Sequence, residues 1–264
     1  MDKKKKSLLL TFDVEEIESF SEARRFLFTQ RGTTRVLTLL DSLNVSATFF
    51  VTGQFASENP ALVQEISKQG HEVASHGLEH VHNYKRMNSE QVLCNLEKAR
   101  NILEQIVQRK VLGFRAPRLM FPSYRVIKSA GFIYDASLHP TFVPGKYNHF
   151  FAPRSAFHSE GIVVIPVSVT PFLRLPFSWI WFRNFGPGYS RFCTWWAGFN
   201  RSYIQIYFHP WEFEEIRNSR INVFMRRRTG GWLESSLNKY IVWAKEIGFR
   251  TETIQTYLKR TMSL

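Results

Sequence analysis

Short runs of apolar residues, each about the length of one strand, recur along the chain and alternate with segments of helical period. These runs occupy residues 8–14, 47–51, 71–74, 111–114, 162–167 and 203–208. Continuous apolar runs of this length are typical of strands that are buried on both faces of a parallel sheet. The pattern therefore predicts a parallel sheet whose strands are joined by crossover helices.

Segments with one apolar helical face lie between these runs. Helices are predicted at residues 33–43, 88–108, 123–130 and 235–247, and one more begins at Pro60 and ends at Gly70. Proline in a first turn and glycine after a last turn are common helix boundary signals. The chain, 1–264, is expected to form a single domain with its core at about residues 7–250.

Residues 170–200 break this alternation. The segment is rich in Phe and Trp, is interrupted by prolines and glycines, and carries Arg174, Arg183 and Arg191. Such breaks and charges are atypical of a membrane-spanning helix. Two interpretations stay open: an insertion buried against the rest of the domain, or a substrate-facing or membrane-surface element. In the second case, Trp179, Trp181 and Arg183 are expected to contact lipid.

The overall charge narrows the choice of partner. Lys plus Arg number 35 against 22 Asp plus Glu, a formal net charge of +13, which favours an anionic partner such as a phospholipid surface or an acidic substrate. No nucleic-acid-binding motif accompanies the basic runs at residues 1–6 and 226–228, so nucleic acid is not expected to be a partner. No signal peptide is recognisable, which predicts a cytoplasmic location, with peripheral association at the inner membrane face.

Cysteine usage points away from thiolate chemistry. The two cysteines, Cys94 and Cys193, are too few for a disulfide framework or a thiolate metal site. Cys94 falls within a helical pattern and is expected to lie in the core.

Carboxylates and histidines follow several of the apolar runs. Asp13 and Glu15 stand at the tip of the first run, and His76 and His80 follow the third. Histidines four residues apart on a helical turn can reach one zinc ion, and a carboxylate can complete the ligand set. Because α/β barrels keep their active sites at the carboxyl ends of their strands, these side chains are expected to converge.

Three further polar residues are expected at the same edge. Arg115 follows the fourth run and would hold the Asp13 carboxylate ionised and oriented. Asp135 is another strand-end carboxylate. His209 follows the last run, and the proline after it ends the strand there. His209 is the candidate proton donor.

Taken in order, these motifs resemble those of carbohydrate esterase family 4, the polysaccharide deacetylase or NodB-homology family. The matching segments are Thr11-Phe12-Asp13, Ser75-His76-Gly77-Leu78-Glu79-His80, Arg115-Ala116-Pro117, Asp135 and Phe208-His209. Asp-Val-Glu at the start, together with Gly186-Pro187-Gly188-Tyr189 and His209-Pro210-Trp211-Glu212, looks closest to the exopolysaccharide-locus branch.

The resemblance implies a distorted (β/α) barrel of about seven parallel strands, with the aromatic-rich 170–200 segment inserted before the last catalytic strand. It also implies a divalent metal, usually zinc, and removal of N-acetyl or other small acyl groups from a glycan or sugar precursor. By the same resemblance, Glu15, His76 and His80 are expected to bind the metal, and Asp13 to act as the general base that Arg115 positions. His209 is expected to donate the proton, Asp135 to serve as a further catalytic carboxylate, and Arg118 and Trp211 to contact the substrate.

Two departures from the family pattern bear on these roles. Val14 stands where the family has a second aspartate, so Glu15 must supply the third ligand. Gly77 replaces the usual Ser or Thr, which predicts a looser histidine loop. A metal-free cyclic-amide hydrolase on the same fold, and a catalytically inactive glycan-binding or membrane-binding protein, are the alternatives.

Overall fold

The computed structural model describes residues 6–17, 25–217 and 221–262. The strands in these residues are β1 (Ser7–Val14), β2 (Thr48–Val51), β3 (Glu72–Ser75), β4 (Gly113–Phe114), β5 (Tyr134–Asp135), β6 (Phe142–Val143), β7 (Tyr147–Asn148), β8 (Phe157–Ser159), β9 (Ile162–Val164), β10 (Tyr203–Phe208) and β11 (Arg250–Thr251). The α-helices are α1 (Leu27–Ser42), α2 (Gly53–Glu58), α3 (Pro60–Lys68), α4 (Ser89–Val107), α5 (Tyr124–Ser129), α6 (Trp179–Phe185), α7 (Pro187–Gly198), α8 (Val223–Arg226), α9 (Gly231–Glu246) and α10 (Ile254–Met262).

The main sheet runs in the order β10-β1-β2-β3-β4-β5-β9-β8, and the neighbours from β10 to β9 are parallel. The sheet curls into an incomplete barrel, in which the Ser168 amide donates to the Gln205 carbonyl (3.0 Å) and ties the segment after β9 to β10. The seven parallel strands confirm the predicted barrel. β8 adds an antiparallel edge, β11 pairs with the start of β1, and β6–β7 form a separate hairpin.

Apolar side chains cover both faces of this sheet, as a parallel sheet requires. Leu8 and Leu10 of β1 pack outward beneath the helices, whereas Leu9 packs into the barrel interior. At the amino ends of the strands, Tyr257 and Leu258 of α10 are buried in the same interior cluster. Helix α10 therefore closes one end of the barrel, and the opposite end stays available for a site.

The 170–200 segment is more regular than its prolines and glycines suggested. It forms α6 and α7, and Pro187 occupies the first turn of α7, where it costs no hydrogen bond. Phe182 and Cys193 enter the main core, in agreement with the buried interpretation, while other aromatic side chains of the segment are exposed. None of the described helices is long and apolar enough to cross a membrane.

Two local predictions are wrong. Helix α1 starts at Leu27, six residues before the predicted start, because its first turns pack through small and polar residues such as Thr29 and Gly32 and show no apolar period. Cys94 is exposed on α4, since the buried face of that helix is formed by Leu96, Leu103 and their neighbours.

Candidate active site

The carboxyl ends of four parallel strands place the predicted site residues around one cleft. Asp13 lies at the end of β1, and Glu15, His76 and His209 follow the ends of β1, β3 and β10. All four line a cleft of about 500 Å³ with His80, Arg118 and Trp211. Arg115 follows β4 and is fully buried behind the cleft. The structure thus brings together the predicted set, except for Asp135.

Strand alternation explains why Glu15, and not Val14, faces the cleft. Side chains two apart on a strand point to the same face, so Asp13 and Glu15 share a side and Val14 points the other way. Val14 is fully buried in the main apolar core. A carboxylate at that position would be buried among apolar side chains, and Glu15 can reach the cleft in its place.

Glu15, His76 and His80 form a compact set of metal-ligand atoms. Glu15 Oε2 lies 3.0 Å from His76 Nε2 and 3.0 Å from His80 Nε2, and the three ligand atoms lie within 4.8 Å of one another. His76 Nδ1–H donates to the Arg115 carbonyl at 2.8 Å, which leaves the lone pair of Nε2 directed at the cluster. Two imidazole nitrogens and one carboxylate oxygen fit a zinc ion with an open position.

The electrostatic balance at Glu15 also suits a cation site. Burial raises the pKa of Glu15, but His80, His209 and His76 outweigh burial and bring its pKa down to about 2. The carboxyl is therefore ionised at any pH near neutrality, as a metal ligand must be.

The histidine pair lies on a loop and not on the helical turn that its spacing suggested. The loop is held by Tyr84, whose hydroxyl accepts from the Leu78 amide at 2.9 Å, and by Ser75 Oγ, which accepts from the Gly77 amide at 3.2 Å. Gly77 has φ +78°, and an added Cβ would lie 2.5 Å from the Tyr84 hydroxyl. The glycine therefore permits close packing, and the expected looseness at Gly77 is not found.

Asp13 is held by a buried arginine. Arg115 Nη1 donates to Asp13 Oδ1 at 2.7 Å and to Thr11 Oγ1 at 2.8 Å, and Nε donates to the Ala136 carbonyl at 3.0 Å. The guanidinium also lies 4.2 Å from the centroid of the Phe50 ring. A charge-assisted bond from a fixed donor orients one oxygen of Asp13, as the sequence predicted.

His209 is enclosed by carboxylates and aromatic rings. Its Nε2 lies 3.5 Å from Glu15 Oε1, and its Nδ1–H donates to Glu212 Oε2 at 3.3 Å. Trp211 stacks on the imidazole with centroids 5.1 Å apart. Burial lowers the pKa of His209, but the carboxylates of Glu15 and Glu212 outweigh it, and the net effect raises this pKa. The protonated imidazole is thereby favoured, which suits a proton donor.

Glu212 and Arg183 are functional candidates that the sequence did not reveal. Glu212 Oε1 accepts from Arg183 Nε at 2.5 Å, and both side chains are fully buried. The interpretation of Arg183 as a lipid-facing residue is therefore wrong, and Trp179 and Trp181 line the cleft instead. Glu212 stands three residues after His209 and accepts from its amide at 2.8 Å, the spacing of a capping box. That spacing could have identified Glu212, but nothing local identifies Arg183.

Asp135 does not reach the cleft. It is fully buried and accepts from Ser137 Oγ at 2.5 Å and from the Ser137 amide at 3.1 Å. Ser137 Oγ in turn accepts from the Ala116 amide at 2.8 Å, next to Arg115. Burial raises the pKa of Asp135 to about 7, although Ser137 and Arg115 oppose the shift. The prediction that Asp135 is a catalytic group is therefore wrong, and its carboxyl instead supports the loop that carries Arg115.

His139 is a further cleft residue that the sequence analysis missed. Its Nδ1 forms a hydrogen bond with the Tyr147 hydroxyl at 2.8 Å, and burial lowers its pKa to about 3, so the ring is neutral. Like His209, it follows a strand and precedes a proline. That repeated His-Pro pattern after a strand could have identified it.

Comparisons with known proteins agree with this geometry. The chain is 27% identical over 124 residues to peptidoglycan-N-acetylmuramic acid deacetylase PdaA of Bacillus subtilis, covering 45% of this chain and 47% of that protein. It is 35% identical over 86 residues to a peptidoglycan-N-acetylglucosamine deacetylase of Bacillus cereus, covering 32% of this chain and 39% of that protein. The chain thus matches less than half the length of these curated relatives.

The fold has close counterparts among solved structures. A structure described as a putative polysaccharide deacetylase from Mycobacterium smegmatis superimposes with a TM-score of 0.70 at 18% identity, covering 100% of this chain and 92% of that one. The polysaccharide deacetylase family profile matches residues 1–134, which include Asp13, Glu15, His76, His80 and Arg115. Since this match takes in more than half of the 264 residues, the chain belongs to the polysaccharide deacetylase family.

Proposed function

We propose that this protein is a metal-dependent amide hydrolase that removes an N-acetyl or other small acyl group from an amino sugar of a surface glycan or its precursor. The observation that carries the proposal is the cluster of Glu15, His76 and His80 in the same cleft as Asp13 and His209. An amide is a weak electrophile and an amine leaves poorly, so hydrolysis requires activation of water and protonation of nitrogen. The cleft supplies groups suited to both tasks.

The ligand set would hold a divalent cation, zinc being the best fit, which when bound polarises the acyl carbonyl and acidifies water. Asp13 accepts the proton of the attacking water, and the hydrogen bond from Arg115 orients that carboxylate. His209 gives its Nε2 proton to the departing nitrogen of the sugar. Glu212, fixed by Arg183, holds the other face of the imidazole through Nδ1 and stabilises its protonated form.

Aromatic and cationic side chains on the cleft wall support a glycan substrate. Trp179, Trp181 and Trp211 line the cleft, and indole rings provide flat apolar faces on which sugar rings can pack. Arg118 and Lys146 line it as well and could pair with a phosphate or another acidic group of a precursor. The named relatives are peptidoglycan deacetylases, which supports an N-acetylated glycan as the substrate class.

Mass spectrometry of N-acetylated oligosaccharides tests the proposal. Purified protein incubated with chitooligosaccharides or peptidoglycan fragments should release acetate, lose this activity with a chelator, and regain it on addition of zinc. The Asp13→Asn variant serves as the inactive control. Release that is unaffected by complete metal removal would favour the metal-free alternative, and binding of the glycans without any release would favour the inactive one.

A further inference from the structure

We propose that the mouth of the cleft docks on an anionic phospholipid surface through an apolar rim. The rim consists of Phe142, Phe151, Phe172 and Leu173, whose exposed fractions are 56%, 91%, 84% and 61%. Large apolar side chains presented in this way are typical of proteins that lie on membranes. The inference goes beyond the proposed function, because it concerns where the protein works and not which bond it breaks.

The rim residues belong to one connected surface. Phe142 lies in β6, and the preceding Thr141 donates through Oγ1 to the Arg174 carbonyl at 2.7 Å. Arg174 Nη1 donates to the Ala152 carbonyl at 3.1 Å, which joins the 171–174 turn to the loop that carries Phe151. A bridge between Val169 and Pro176 closes the base of that turn. These bonds hold the four apolar side chains on neighbouring loops.

This surface borders the cleft. Val143, Lys146 and Tyr147, from the hairpin that contains Phe142, line the cleft beside the ligand set. A membrane in contact with the rim would therefore lie next to the entrance of the active site. A substrate anchored in lipid could reach the cleft from that side.

The backbone of the 171–174 turn is strained. Phe172 has φ +54° and Arg174 has φ +54°, in the left-handed region that non-glycine residues seldom occupy. Bulky residues in this region carry an energetic cost, and such strain is concentrated at functional sites. The turn leaves Phe172 and Leu173 exposed, so core burial does not compensate for the strain. A partner that covers these side chains would supply the burial that the core does not.

The charge around the rim complements an anionic surface. Between residues 136 and 211, the sequence has six Lys or Arg and a single acidic residue, Glu160. Arg183 is buried against Glu212 and Arg191 lines a groove at the amino ends of the strands, which leaves four basic side chains, Lys146, Arg154, Arg174 and Arg201. Glu160 accepts from the Arg125 amide just before β9, at the amino ends of the strands and away from the cleft. Anionic lipid is attracted to such a region, and each nearby basic side chain adds to the binding.

Three arginines are connected to the 171–174 turn. Arg174 belongs to the turn, Arg154 donates to the Val169 carbonyl at its base at 3.0 Å, and Arg201, just before β10, is close enough for its charge to act on both. Arg154, Arg174 and Arg201 have no ion pair with any carboxylate in the part of the chain that is described. Burial, together with the positive charges of Arg201 and Arg174, lowers the pKa of Arg154 to about 10. Like charges kept this close without a counter-ion fit the phosphates of a lipid surface better than a second copy of this basic chain.

Vesicle sedimentation with a matched pair of variants tests the proposal. The rim variant is Phe172→Asn/Leu173→Ser, in which asparagine tolerates the left-handed backbone and every charge is retained. The flank variant is Phe192→Ser/Trp195→Ser. It removes two side chains that are 54% and 63% exposed. These side chains border a groove of about 690 Å³, which Lys6 and Phe249 also line and which lies at the amino ends of the strands. Both variants should keep the parent's circular dichroism and its activity on soluble oligosaccharides.

We expect the parent and the flank variant to bind vesicles of phosphatidylcholine with phosphatidylglycerol, and to bind pure phosphatidylcholine weakly. The rim variant should partition at least about tenfold less well into the anionic vesicles. Equal binding by the rim variant would show that charge alone acts and would overturn the proposal. Loss of vesicle binding in the flank variant alone, or failure of the parent to bind, would also overturn it. A third contradicting result is a parent that sediments as a dimer while the rim variant sediments as a monomer, because the rim would then be an interface between two copies of the chain.

Discussion

Two carboxylates two residues apart have different environments and are therefore expected to have different roles. Asp13 is bonded to the buried guanidinium of Arg115, whereas Glu15 is bordered by the imidazoles of His76, His80 and His209. The environment, and not the residue type, separates a base from a ligand in such pairs. The sequence could place both carboxylates at one strand end, but assigning the base and the ligand requires the neighbours that folding supplies.

The Asp13→Asn variant tests the role of the base. Asparagine can keep the hydrogen bond from Arg115 but cannot accept a proton from water, so kcat should fall by roughly 10² to 10⁴. Steady-state kinetics measures the loss, and zinc titration of the same variant serves as control, because Asp13 contributes no atom to the ligand cluster. Full activity in this variant would rule out Asp13 as the base.

The Asp135→Asn variant tests the burial of a carboxyl behind the site. Because burial raises the pKa of folded Asp135 from 3.8 to about 7, the folded protein binds more protons than the unfolded chain between these values. The free energy of unfolding therefore falls as the pH rises from about 4 to 7. Asparagine does not ionise, so the variant should lose part of that decline and be at least as stable as the parent at pH 8. Urea denaturation at pH 5 and pH 8 measures the free energy of unfolding of both proteins. An equal change in this free energy between the two pH values for parent and variant would contradict the prediction.

At the scale of elements, the strands were more predictable than the helix that supports the site. The six apolar runs correspond to strands because continuous apolar character is a local property of the sequence. The early start of α1 depends on a contact that no local pattern encodes. Gly32 of α1 packs against Pro210, and a Cβ at Gly32 would lie 1.8 Å from the Pro210 carbonyl oxygen. The glycine allows α1 to approach the turn that carries His209.

The Gly32→Ala variant tests this contact. The added methyl group must displace the Pro210 backbone, so the variant should lose about 1–3 kcal/mol of stability and part of its kcat through displacement of His209. Gly188→Ala in α7 is the matched control, since its Cβ meets open space, and it should be neutral or up to about 1 kcal/mol more stable. Denaturation and steady-state kinetics measure both effects. A Gly32→Ala variant that behaves like the control would show that the close approach is unimportant.

At the scale of the whole molecule, long-range pairs complete what the local motifs begin. The ordered motifs were sufficient to predict the barrel, the family and most of the cleft. The Arg183–Glu212 pair joins α6 to the turn after β10, so it became visible only in the fold. The role of α10 in closing the barrel was hidden for the same reason, because its apolar residues pack against strands that are distant in sequence.

The Leu258→Ala variant tests the closure by α10. Leu258 is buried in the interior cluster, and its truncation leaves a cavity that should cost about 2–5 kcal/mol of stability. Ile247→Ala, at a position that is 48% exposed, should cost less than about 1 kcal/mol. Chemical denaturation compares the two, and equal losses would contradict a plugging role for α10.

Zinc titration of the metal-stripped protein by calorimetry tests the central claim most directly. The parent and Glu16→Gln should bind stoichiometric zinc, because Glu16 contributes no atom to the cluster formed by the described residues. Glu15→Gln and His76→Ala should bind at least about tenfold more weakly. An affinity of Glu15→Gln equal to that of the parent, or no binding of zinc by the parent, would contradict the metal centre on which the proposed hydrolysis depends.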